Sequence, residues 1–165
     1  MIHRFMGWAA RAVMAVCLSL AAAGVFQTAP SAAAPKSIEW NDAQIRWRSF
    51  AEGLREAQAT GKPILAVFYA DWCPHCLGYS RLFRDPQIVR LSQALVMVKV
   101  DGDRQPDIGG RYEPDGGYVP RTMVLDRAGR LVGSLRGGNA RYRHFIDYQS
   151  TDELAAMMKG AAALK

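Results

Sequence analysis

Ile64-Leu65-Ala66-Val67-Phe68-Tyr69-Ala70-Asp71-Trp72-Cys73-Pro74-His75-Cys76 is the stretch on which the fold turns. It opens with seven apolar residues in a row, preceded by the breaker Gly61-Lys62-Pro63. An uninterrupted run of this length between turn residues predicts a strand buried on both faces. Two cysteines spaced C-x-x-C follow at once. A helix is predicted to start at them, to run through Leu77, Tyr79, Leu82 and Phe83, and to break near Asp85-Pro86.

Upstream, Trp47, Phe50, Leu54 and Ala57 recur at spacings of three and four, which predicts one helix over 46–60. Ile38-Glu39-Trp40 reads as extended, within a lead-in segment at 34–45. Downstream, a second helical piece covers 87–93, and the apolar run 95–100 is the next buried strand. Residues 101–118 are polar and glycine-rich and read as loop. Residues 121–126 form a strand, and Arg127-Ala128-Gly129 turns the chain into a further strand over 131–135. After another loop, Thr151-Asp152-Glu153 opens a final helix, with Thr151 as its N-cap and two acids at its positive end. Strands separated by helices imply parallel pairing, and the late hairpin implies an antiparallel edge. The fold class is therefore α/β, a mixed central β-sheet flanked by helices, in one domain over 46–165.

The first 33 residues read as a leader rather than as fold. Arg4 and Arg11 stand in a stretch without acids, an apolar run covers about 12–26, and Thr28-Ala29-Pro30-Ser31-Ala32-Ala33-Ala34 closes it. These are the three parts of a secretory signal peptide, with the cut after Ala33. The apolar run falls short of the ~20 residues a membrane-spanning helix needs. The expected location is the periplasm. Removal of the leader leaves 19 basic against 15 acidic side chains, a charge of +4. Arg136, Arg141, Arg143 and His144 are the densest basic stretch, and read as a solvated loop face rather than a nucleic-acid site.

Cys17 leaves with the leader, so Cys73 and Cys76 remain as a pair. A bridge across so short a loop removes little entropy from the unfolded chain and is a poor staple, but it makes a good redox switch. Zinc sites usually take four ligands, and covalent haem attachment requires His where Leu77 stands. Asp101, Asp103 and Asp107 do not make a calcium loop, because its fifth and twelfth positions hold Gln105 and Tyr112. No metal and no cofactor is expected. Cys73 at a helix start, Pro74 in the first turn and His75 as a donor or cation would each favour the thiolate. Stabilising the reduced form makes the disulfide a stronger oxidant. Cys73 is the expected attacking or attacked sulfur, and Cys76 the more buried, resolving one. The expected partners are protein thiols and disulfides, with a membrane or soluble redox partner, and the chain is expected to act as a monomer. A reductant serving one dedicated partner, and a client-binding module with an incidental disulfide, are the competing readings.

The run from Phe68 to Cys76 resembles the active-site strand and turn of the thioredoxin superfamily. Ala51-Glu52-Gly53-Leu54-Arg55-Glu56-Ala57, Gly61-Lys62-Pro63-Ile64 and Pro114-Asp115-Gly116-Gly117-Tyr118-Val119-Pro120-Arg121 resemble the small endoplasmic-reticulum branch related to the anterior gradient proteins. The resemblance implies a thioredoxin-like fold and protein disulfide oxidoreductase activity. It implies that Trp72, Pro74 and His75 modulate the site, that Pro120 is the superfamily's cis-proline, and that Val119 before it contacts substrate. The sequence departs from typical thioredoxins in two places. Val67 stands where they carry a buried Asp, and Pro74-His75 is the dipeptide of the DsbA-type periplasmic oxidases.

Overall fold

The apolar run 64–70 forms a strand, β2 (Ile64–Tyr69), in which every residue is buried. The computed structural model describes residues 37–164, so the expected leader and its cut after Ala33 lie outside the described residues. The other elements follow in chain order around β2. They are β1 (Trp47–Arg48), α1 (Phe50–Thr60), α2 (Pro74–Ser80), α3 (Pro86–Ser92), β3 (Val96–Asp101), α4 (Pro106–Arg111), β4 (Arg121–Leu125) and α5 (Asp152–Ala162). A 3-10 turn over Arg81–Arg84 joins α2 to α3. The four strands lie in the order β1-β3-β2-β4, with β1 and β2 parallel to β3 and β4 antiparallel to β2. This is the mixed sheet that the alternation of strands and helices predicts.

Successive residues of β2 point to opposite faces. Leu65, Val67 and Tyr69 pack with Met97, Val124 and the inner faces of α2, α3 and α5. Ile64, Ala66 and Phe68 pack with Val96, Val98, Val100 and Met123 under α1. Because both faces are covered, the strand has no polar alternation to show in its sequence.

Five expectations differ from the structure. Trp47 belongs to β1, paired with Met97, and not to the first helix. The helix starts later because Ser49 and Glu52 close a capping box: Ser49 Oγ accepts from the Glu52 amide, and the Glu52 carboxylate accepts from the Ser49 amide. The lead-in segment also contributes to the core, for Ile38, Trp40 and Ile45 are buried. The Trp40 ring is fully buried against Tyr69, Tyr79, Phe83 and Trp47, with centroids 5.1–6.3 Å away. The loop 101–118 contains α4, a helix with two glycines in its six residues. Glycine lowers helix propensity and hides such a segment from periodicity. Lastly, the turn at Arg127-Ala128-Gly129 forms, with Gly129 at φ 80°, but its return arm pairs only through Leu131 opposite Leu125. Gly133 follows, and the chain turns away. The final helix opens one residue after Thr151, whose side chain caps nothing; Ser150 Oγ accepts the Asp152 amide instead.

Candidate active site

The site forms where β2 ends and α2 begins. Cys73 is the N-cap of α2 with extended backbone, and Pro74 occupies the first helical turn, where a missing N–H costs nothing. The Cys73 sulfur accepts the Cys76 amide N–H at 3.2 Å. An orphan donor of the helix start is thus spent on the sulfur. Cys73 is 4% exposed and Cys76 fully buried. Burial, and the hydrogen bond with Cys73, push the Cys76 thiol far above its ordinary value. The two cysteines are unbridged in this structure.

The loop before β4 comes against this pair. The Cys73 sulfur lies 3.6 Å from the Val119 carbonyl oxygen, and the Val119–Pro120 peptide is cis, as the resemblance implied. A cleft of about 410 Å³ opens here, lined by Trp72, Cys73, Glu113, Tyr118, Val119 and Arg121 among others. Trp72 is 69% exposed, and its indole N–H donates to Asp103 at 2.7 Å, which fixes the ring at the cleft rim. A second, apolar groove of about 280 Å³ runs between His75, Val119, Tyr142 and Phe145.

His75 departs from expectation. Its Nδ1 is paired with the Tyr148 hydroxyl at 2.8 Å, and its ring meets Phe145 and Tyr148 at tilted or edge-on angles. Among the described residues it makes no hydrogen bond to either sulfur. Val67 is fully buried in the same core as both cysteines, so no carboxylate occupies that position.

Two groups that sequence reading missed hold the Val119 loop. Arg121 is buried, donates to the Tyr118 and Gly109 carbonyls at 2.7 and 3.2 Å, and stacks 5.2 Å from the Phe68 ring centroid. It thereby ties the loop to α4. Burial pushes its guanidinium below the usual value, against the opposing charge of Glu113. The second group is Asp115 with Tyr118 and His144. Asp115 accepts from the Tyr118 hydroxyl at 2.7 Å and pairs with His144 Nδ1 at 2.9 Å. The Tyr118 oxygen in turn accepts the His144 amide at 3.0 Å. His144, expected on a solvated basic face, is 4% exposed, whereas Arg136, Arg141 and Arg143 are exposed as read. No local pattern marks the pair, because Asp115 and His144 are 29 residues apart.

The Asp115 network sets a pH response. Burial acts to raise the carboxyl, but hydrogen bonds from Tyr118 and His144 outweigh it and hold the group below its ordinary value of 3.8. A depressed folded value means that the carboxylate's contribution is complete above pH 3.8 and is lost as pH falls through the lower folded value. Asp115→Asn is therefore expected to lower the unfolding temperature near neutral pH, with the gap to wild type closing in strong acid. Thermal unfolding across a pH series checks it.

A family described as thioredoxin-like matches residues 46–127. A solved thioredoxin from Thermus thermophilus superposes with a TM-score of 0.58 at 24% identity, over 73% of this chain and 88% of that one. The chain belongs to the thioredoxin superfamily. Within the superfamily it is similar to anterior gradient protein 2-B of Xenopus laevis, 27% identical over 127 residues, which cover 76% of this chain and 75% of that protein. It is also similar to the human anterior gradient protein 2 homolog, 25% identical over 126 residues, covering 76% and 70%. A thioredoxin-superfamily strand, turn and helix thus carry Cys73 and Cys76, and a cis-proline loop faces them.

Proposed function

We propose that this chain is an exported protein thiol–disulfide oxidoreductase of the thioredoxin-like disulfide oxidoreductase family, working through Cys73 and Cys76 in the oxidising or isomerising direction. The observation that carries the reading is the inequality of the two sulfurs. Cys73 caps a helix, receives an amide N–H and lines an open cleft beside the Val119 carbonyl, while Cys76 lies sealed behind it. In the oxidising direction a substrate thiolate attacks the Cys73 sulfur of the bridge. The Cys73–Cys76 bond breaks, its electron pair stays on Cys76, and a proton from solvent completes the thiol. A second substrate thiolate then attacks the substrate sulfur of the mixed disulfide and releases Cys73. The substrate loses two electrons and the protein gains them, so a redox partner must take them back.

The reverse reaction requires Cys76 to lose its proton inside the core. Burial opposes that, and Val67 provides no carboxylate to assist it. Burial hinders the departure of Cys76 as a thiolate as much as its attack, so the support for the oxidising direction is the Pro74-His75 dipeptide, whose Pro74 opens the helix that Cys73 caps. The Val119 backbone beside Cys73 suits an extended peptide, with Trp72 at the rim as a hydrophobic contact.

Equilibration of the purified protein in glutathione buffers tests the direction. The superfamily spans about −270 mV for thioredoxin to about −120 mV for the strongest oxidase, and the expected value lies well above the thioredoxin end. A value at about −270 mV overturns the oxidising assignment. For the export reading, the N-terminal residue of the protein recovered from the periplasm is expected to be Ala34.

A further inference from the structure

We propose that Tyr148 is a positioning residue that holds His75 off the Cys73 sulfur, making the cysteine pair a weaker oxidant than its Pro-His dipeptide would otherwise make it. The proposal rests on Cys73 and Cys76 being the redox pair. His75 is two residues from Cys73 and lines the same cleft, so its imidazole is within the neighbourhood of the sulfur. Its Nδ1 is nevertheless occupied by the Tyr148 hydroxyl at 2.8 Å, across 73 residues of chain. The occupation does not depend on protonation. A bare Nδ1 accepts the tyrosine O–H, and a protonated one donates to the tyrosine oxygen.

Tyr148 is itself held in place. Its ring packs on α2 at Gly78, where a Cβ would fall 2.8 Å from the ring's Cε2, so the absence of a side chain there is what admits it. Phe145 closes the other side, with ring centroids 6.0 Å from Tyr148 and 6.5 Å from His75. The adjacent Asp147 amide donates to Glu153 in the first turn of α5 at 2.7 Å, and Glu153 also accepts the Gly138 amide. The 137–148 loop is thereby anchored to a core helix, and the tyrosine with it.

The consequence follows from where the charge resides. Only the reduced protein can carry a thiolate at Cys73, so a histidine donor near that sulfur stabilises the reduced form alone and strengthens the oxidant. A histidine tied to Tyr148 withholds that donor. The sulfur then relies on the Cys76 amide.

The test equilibrates the mature chain with glutathione, in which the protein disulfide and two glutathione thiols give the protein dithiol and one glutathione disulfide. Tyr148→Phe keeps the ring over Gly78 and removes the hydroxyl. The expected result is a rise of about tenfold in the equilibrium constant toward the dithiol, equivalent to about 30 mV. In a His75→Ser background the same substitution is expected to change the constant by less than about twofold, because the two residues act as one unit. An unchanged or smaller constant for Tyr148→Phe overturns the proposal. So does an equal rise in the His75→Ser background, which would make the tyrosine act through packing alone. If the wild-type protein does not exchange with glutathione at all, it is the redox reading that fails, and with it the ground for this one.

Discussion

Cys73→Ala is expected to abolish the proposed disulfide exchange with a model dithiol or disulfide peptide, lowering the rate by on the order of a thousandfold or more, as loss of a nucleophile does elsewhere. Cys76→Ala behaves differently. It leaves the Cys73 sulfur at the helix start but removes the one proposed to resolve the intermediate. Mixed disulfides on Cys73 are then expected to accumulate, visible as adducts on non-reducing gels or by intact mass. The contrast follows from geometry. Cys73 lines the cleft beside Val119, whereas Cys76 is fully buried in the core. An adduct on Cys76 in a Cys73→Ala chain, or none on either variant, would reverse or remove the roles.

Trp40→Ala is expected to cost about 3–5 kcal/mol, the range for removing a fully buried large aromatic. In a domain of this size that lowers the unfolding midpoint by roughly 10 °C or more. The loss is large because Trp40 is the hub of an aromatic cluster, touching rings from β1, β2, α2 and the 3-10 turn that follows it. Its carbonyl also accepts the Trp47 indole N–H at 2.7 Å. Trp40→Phe should cost much less. The indole N–H of Trp40 has no partner among the described residues, so its removal returns a buried donor's desolvation penalty while most of the ring packing is kept. Denaturant unfolding of both variants separates the two contributions. A Trp40→Ala chain as stable as wild type would mean that the segment at 38–45 is not part of the domain.

That segment shows how sequence and structure divide the information. By sequence Ile38-Glu39-Trp40 reads only as an extended lead-in, because three residues carry no period and no cap. Its burial comes from rings on other elements, whose assembly no local pattern announces. The Ser49–Glu52 capping box, by contrast, is written within three residues of chain and marks the helix start locally. The hidden helix α4 owes its place to Arg121 and to the packing of Tyr112 against Phe50 and Phe68, not to the propensity of its own six residues.

The same division runs through the site. The sequence by itself determined the buried strand, the turn into a helix with a cysteine at its cap, and the C-x-x-C spacing that places Cys73 and Cys76 one helical turn apart. These are local properties, since hydrophobic runs, helix ends and C-x-x-C spacing act over a few bonds. The resemblance added Val119 and Pro120 to the site. Only the tertiary structure decided that His75 faces Tyr148 rather than the sulfur, that Asp115 and His144 brace the loop, and that Arg121 ties that loop to α4. Those partners are 73, 29 and 12 residues apart. They meet only because two covered sheet faces and an anchored loop bring them together, and a linear chain carries no mark of that meeting.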